Sequence, residues 1–320
     1  MSTVARQGSK RAARAGSTAR PKPAHGTDTV SWPTRIAAAV DGFPEGRDAA
    51  ALGALIAAAT DAELTLVNVH SPTMFPAPPN LRWKNLRRES LAALREVRDS
   101  IAPKARISAQ TDSSVPRALH RVVERGHRDL LIVGSSRDAE SGHTRIGKRT
   151  RQLLGHFDCP LGVARRGMAT ADSRPLRQIG VGYDGGPEAT HALDLAALLA
   201  AATGAELRVL GGVDDRVPTL VRSAMTALVA VEWHDLMRVE VDELHRLIET
   251  AARRLPIPVR TQVTRGRPAD ALLELSEEVD LKLIGSRRWG PASRVLLGST
   301  GEALLHDAAC SVITVPRPAD

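Results

Sequence analysis

The sequence predicts an α/β protein of two tandem, doubly wound parallel-sheet domains, and two observations carry that expectation. The 320-residue chain repeats itself, and each repeat alternates short aliphatic runs with longer helical patterns. AAAVDGFPEGRDAAALGALIAAATDAELTLVNV at 37–69 matches GVGYDGGPEATHALDLAALLAAATGAELRVLGG at 180–212, so that Asp41 falls on Asp184, Pro44 on Pro187 and Glu45 on Glu188. DLLIVGSSR at 129–137 falls on DLKLIGSRR at 280–288, and GKRTRQLLGHFDCPLGVA at 147–164 on GSTGEALLHDAACSVITV at 298–315. The offset between copies grows from 143 at Asp41 and Asp184 to 151 at Gly147 and Gly298, so the second copy gained residues in between. A single duplication of this length is two domains of one fold, not a short-period solenoid.

The second copy reads most clearly. IGVGY is an apolar run that ends at Asp184, after which Pro187 and Glu188 open an Ala/Leu-rich helix. LRVLGGV is the next strand. A long helical pattern follows over roughly 217–255, with Leu220, Ala224, Leu228, Val231 and Val239 at near-helical spacing. VRTQVT, DLKLIG and SVITVP are short strands, separated by helix patterns at 268–279 and 298–307. Crossovers of that length join parallel strands and place helices on both faces of the sheet. Ligands of such sheets bind beyond the carboxyl ends of the strands, where the strand order reverses. Asp184 and Gly285 both stand at strand ends of this kind.

The expected organisation is a basic tail at 1–32, a first domain at 33–165, a linker at 166–176 and a second domain at 177–318. The net charge is +8, and the tail holds most of it: Arg6, Lys10, Arg11, Arg14, Arg20 and Lys22 stand against Asp28 alone. A Ser/Ala/Gly/Pro-rich basic segment of this kind is expected to be disordered and to meet nucleic acid or an acidic partner only weakly. Aromatic residues make up 2% of the chain, too few for the stacking platforms of single-stranded nucleic-acid binders. No apolar run approaches the roughly 20 residues that span a bilayer, so no membrane partner is expected. The N-terminal segment lacks the apolar stretch of a secretory signal, which points to the cytoplasm. Cys159 and Cys310 are the only cysteines and precede strand-like runs, as buried, inert thiols would.

With these motifs in place, the chain resembles the universal stress protein family, as two copies covering nearly everything after residue 33. The resemblance rests on VGYDGGPEA, on RGRPADALL at 265–273, and on DLKLIGSRR leading to LLGSTGEALLHDAACSVITV. It implies Rossmann-like domains of the adenine nucleotide alpha hydrolase type. Its ATP-binding members carry G-x2-G-x9-G-[S/T]; here Gly285, Arg288, Gly298 and Ser299 occupy those places, so the second glycine is an arginine.

The resemblance implies an adenine nucleotide, ATP with Mg only as its companion, in the second copy. Asp184 would be the strand-end acid, and Val213 and Ile284 the apolar wall at the base. Gly285 would let backbone approach a phosphate. Ser299 and Thr300 would meet phosphates at a helix start, where unpaired N–H groups attract anions; the bland alternative is an ordinary helix cap. Arg288 either rebuilds the loop and blocks the pocket or grips a phosphate with its planar fork. Arg287 and Arg294 add positive charge, and Trp289 reads as a packed loop or a dimer contact. In the first copy Arg137, Lys148 and Phe43 replace or crowd the matching positions, so that site is expected to be degenerate. The family's pairing through the last strand implies that GVAR and ITVP join within this chain, with a homodimer of chains as a further expectation.

Catalysis finds little in the sequence. The histidines form no spaced metal site, His191 and His306 read as surface or interface residues, and neither a Gly-x-Ser-x-Gly elbow nor a Walker loop occurs. The expectation is a non-catalytic regulator, with slow ATP hydrolysis at most. The rival reading is a dimerisation or interaction module that binds no nucleotide, its tail contacting nucleic acid or an acidic partner.

Overall fold

The structure, a computed structural model, describes residues 31–70, 79–154, 159–170, 174–216, 227–286 and 297–316. The first copy runs β1 (Arg35–Ala39), α1 (Pro44–Thr60), β2 (Glu63–His70), α2 (Pro79–Ile101), β3 (Arg106–Thr111), α3 (Val115–Gly126), β4 (Leu130–Gly134), α4 (Lys148–Leu153) and β5 (Leu161–Ala164). The second runs β6 (Gln178–Gly182), α5 (Pro187–Thr203), β7 (Glu206–Val213), α6 (Ala227–Arg253), β8 (Val259–Arg265), α7 (Pro268–Glu278), β9 (Leu281–Gly285), α8 (Ser299–Asp307) and β10 (Ser311–Val315). Of the long helix expected at 217–255, α6 supplies 227–253; Leu220 and Ala224 lie outside the described residues.

The strands form one ten-stranded sheet in the order β3-β2-β1-β4-β5-β10-β9-β6-β7-β8. Within each copy every pairing is parallel and the order is the same. The copies meet antiparallel at β5 and β10, with Val163 opposite Val312 and Leu161 opposite Thr314. The expected pairing of last strands thus occurs within one chain and leaves no edge between the copies.

Alternation of side chains across the strands divides the core in two. On one face Ile36, Ala38, Leu130 and Ile132 pack with Leu52 and Ile56 of α1 and Leu94 of α2, and the matching residues of the second copy pack with α5 and α6. On the other, Leu131, Val133 and Val312 pack with α3, α7 and α8. Small side chains make this close. Ala49 and Ala50 of α1 and Ala192 and Ala196 of α5 are buried, so a core with few rings is filled by backbone-level approach of helix to sheet. Cys159 and Cys310 are buried, and burial pushes the Cys310 thiol up to about 12.

The stretch expected to be a linker is tied down at its start. Asp48, buried on α1, accepts the N–H groups of Gly167 (2.9 Å) and Ala169 (2.7 Å), and Arg166 donates to Ala139 O at 2.6 Å. Among the described residues no helix is long and apolar enough to cross a membrane.

Candidate functional site

The strand order reverses between β1 and β4 in one copy and between β6 and β9 in the other, and a cleft opens at each place. They differ in size: about 600 Å³ in the second copy and about 160 Å³ in the first.

The larger cleft is built from two helix starts and two strand ends. Beyond β6, Asp184 turns the chain: its Oδ1 accepts the N–H of Gly186 at 2.9 Å, and Gly185 between them takes a φ of +81°, which a side chain resists. Gly186 then caps α5 and Pro187 begins it. On the opposite side Gly298 caps α8 without a side chain to offer, and the first N–H to find an acceptor is that of Glu302, to Gly298 O at 2.8 Å. Among the described residues the N–H groups of Ser299, Thr300 and Gly301 therefore begin a helix beside the cleft without a partner, which is the arrangement that attracts anions.

Of the residues picked out by sequence, Asp184, Ile284, Gly285, Gly298, Ser299 and Thr300 line this one cleft. Val213 does not. Side chains alternate along β7, so Leu210 and Gly212 face the cleft while Val213 points to the opposite side of the sheet, where it is buried. Arg288, with Arg287, Trp289 and Arg294, lies outside the described residues.

Gly285 has a second reason to be glycine. A Cβ there would sit 2.6 Å from the backbone carbon of Glu188 and 2.7 Å from Ala189 N, so the residue is needed for α5 to reach β9. Gly134 of the first copy is in the same position, with Glu45 O 2.0 Å from its hypothetical Cβ. The glycine serves helix packing in both copies, whatever else it admits.

Two residues with no role assigned from sequence complete the lining. Glu188, in the first turn of α5, is 5% exposed; Ser286, just past β9, is as buried, and among the described residues neither the Glu188 Oε1 nor the Ser286 Oγ has a partner. Buried polar atoms left this way are costly and point to a donor or acceptor that the protein does not supply. A glutamate after proline in a first helical turn looks like an ordinary complement to the helix dipole, so its burial is invisible in sequence. Asp184 and Glu188 are the charged side chains of the described lining. The cleft thus sets two carboxylates by α5 against free N–H donors at α8, and can hold a ligand rich in hydroxyl or amino groups at one end and anionic at the other.

The first copy keeps a smaller version of the same geometry. Its Arg137, at the position matching Arg288, lays its guanidinium carbon 3.4 Å from the centroid of the Phe43 ring. Burial raises the Asp41 carboxyl above its usual range, the N–H of Phe43 opposes the shift, Glu45 adds to it and Arg137 opposes it. The second copy has Gly186 where the first has Phe43. Ser135 Oγ, whose counterpart Ser286 is unpartnered, here donates to Ala164 O at 2.7 Å. His191 lies half-buried with Nδ1 3.1 Å from Pro316 O, and His306 is exposed beside Asp307.

Comparison with known proteins gives matches to the universal stress protein family at residues 33–165 and again at 175–316. A universal stress protein of Mycobacterium tuberculosis strain H37Rv is 25% identical over 291 residues, spanning 87% of this chain and 95% of its own. Another from the same strain is 26% identical over 196 residues, 60% of each chain. Among solved structures, a universal stress protein from Archaeoglobus fulgidus is similar with a TM-score of 0.62 at 18% identity, covering 89% of this chain and 99% of its own. One from Pseudomonas aeruginosa, described as a putative universal stress protein, has a TM-score of 0.58 at 16% identity, covering 88% and 93%.

Proposed function

The chain belongs to the universal stress protein family, and from that premise we propose that it is an ATP-binding, non-catalytic regulator of the stress response in the cytoplasm. The nucleotide site is the cleft of the second copy, with Mg accompanying the phosphates. The observation that supports this reading is the difference between the two clefts: the second keeps a cavity of about 600 Å³ facing the start of α8, while the first keeps about 160 Å³.

In this reading the phosphates meet the N–H groups and hydroxyls of Ser299 and Thr300, and the adenosine lies over Ile284, toward Asp184 and the buried Glu188. The two carboxylates repel a triphosphate placed against them, which orients the nucleotide with its anionic end at α8. Occupancy biases the surfaces through which the chain pairs with a second copy or a partner.

Calorimetric titration of ATP into the chain and into Asp184→Ala tests the reading, after denatured protein has been checked for carried nucleotide. Micromolar binding is expected in the native chain, weakened by about tenfold or more in the variant, as for a lost charge-assisted contact together with its turn. A chain that gives no heat and carries no nucleotide overturns the reading in favour of an interaction module.

A further inference from the structure

The short helix that meets the cleft does not end in its own copy. The last carbonyls of a helix lack partners within it; at the end of α8 the N–H of Ala308 meets Leu304 O at 3.0 Å, and residues 144–146 of the first copy add further donors. Thr144, fully buried, donates its hydroxyl to Leu304 O (3.0 Å) and Ala308 O (3.3 Å), and its N–H to Ala308 O (2.8 Å). Ile146 N donates to Leu305 O at 2.9 Å, and the Ile146 side chain packs with Leu304, Leu305 and Ala308. Arg145 lies 3.5 Å from Asp307 and Arg151 of α4 lies 2.7 Å from Glu302, placing cations beside the helix.

We propose that the first copy, whose own cleft is the smaller, serves as a cap supplied across the copies: Thr144 is a positioning residue that sets α8, and through it the N–H groups of Ser299, Thr300 and Gly301 that face the ligand's phosphates. The inference rests on the nucleotide reading of the second cleft. A helix of nine residues is marginal on its own and is held by what it packs against. It also moves as a rod, because its hydrogen bonds run from end to end, so a displacement at Ala308 reaches Gly298. The segment that carries the cap begins after β4, at whose end Gly134 and Ser135 line the first cleft, so one stretch of chain joins that cleft to the second copy's helix.

The test compares Thr144→Val, which keeps the shape and removes the donor, with Thr144→Ser, which keeps the donor. Affinities for ATP are measured by calorimetry, those for adenosine by its displacement of ATP, and amide exchange is followed at Glu302, whose N–H bonds Gly298 O at the far end of α8. Thr144→Val is expected to weaken ATP by about fivefold, as for one net hydrogen bond, to leave adenosine unchanged and to speed exchange at Glu302; Thr144→Ser restores all three. ATP and adenosine weakening together would mark general loosening and overturn the proposal, as would unchanged ATP affinity in Thr144→Val. A native chain that binds neither ligand removes the nucleotide reading and this inference with it, whereas ATP binding indifferent to Thr144 removes the inference alone.

Discussion

Lys282→Met is expected to stabilise the protein by about 3 kcal/mol at neutral pH. Lys282 is fully buried near the start of β9, where its ammonium donates to Leu272 O on α7. Burial holds its pKa down to about 8, against 10.5 for a free lysine; the neighbouring Cys310 opposes that shift and Arg208 adds to it. Between those two values the unfolded chain keeps a proton that the folded chain releases, so native stability rises with pH across that window. Below pH 8 the folded chain carries the full cost of a buried charge, and a depression of this size amounts to about 3 kcal/mol. Methionine fills the same volume without the charge. The first copy already places Leu131 at the matching position. Denaturant unfolding at pH 7 and pH 10.5 reads the difference: a large gain at pH 7 that shrinks at pH 10.5 is expected. Equal gains at both values, or a loss at pH 7, would mean that the ammonium is solvated in the folded chain.

Lys282 also marks a limit of reading strands from sequence. DLKLIG alternates well enough to suggest that its lysine faces water, yet both faces of this sheet are covered by helices and no such face exists. The fold itself was legible because the duplication aligns turn chemistry as well as hydrophobic runs. Asp41 and Asp184 end strands, Pro44 and Pro187 start helices, and Asp61 and Gly204 both end helices in the left-handed conformation. The outline of the larger cleft was legible for the same reason, since its residues sit at strand and helix ends that the motif spacing fixes.

What sequence did not reveal depends on contacts between distant residues. Arg137 and Phe43 each looked like a local departure from the motif, and only folding brings them face to face over Asp41. The cap that Thr144 places on α8 joins residues 160 apart in the chain. Val213 stands one residue past the cleft-lining Gly212, and a single step along β7 decides which face a side chain takes. Glu188 and Ser286 carry no signal of burial in their neighbours, and their unpartnered atoms appear only once α5 lies against β9.

Gly134→Ala and Gly285→Ala are expected to be severely damaging single-methyl additions, each costing about 3 kcal/mol or more, at the upper end for overpacked sites. At Gly134 the added carbon would stand 2.0 Å from Glu45 O and 2.5 Å from Glu45 C; at Gly285 it would stand 2.6 Å from Glu188 C. These are backbone atoms, so no side chain can swing aside, and α1 or α5 must withdraw from the sheet and lose the packing of Ala49 or Ala192. Gly147→Ala is the control, because its added carbon meets only Ser136 atoms at 3.8 Å and should change stability by a few tenths of a kcal/mol. The comparison between copies decides what the motif glycine is for. Were it kept for a phosphate alone, Gly134→Ala would be harmless, since the first cleft is the smaller one, about 160 Å³ against about 600 Å³, and is not the proposed nucleotide site. Equal losses of thermal and denaturant stability at both sites assign the glycine to the seam between helix and strand. Lost ATP binding in Gly285→Ala would then report a displaced α5, and the phosphate contacts would have to be sought at Ser299 and Thr300.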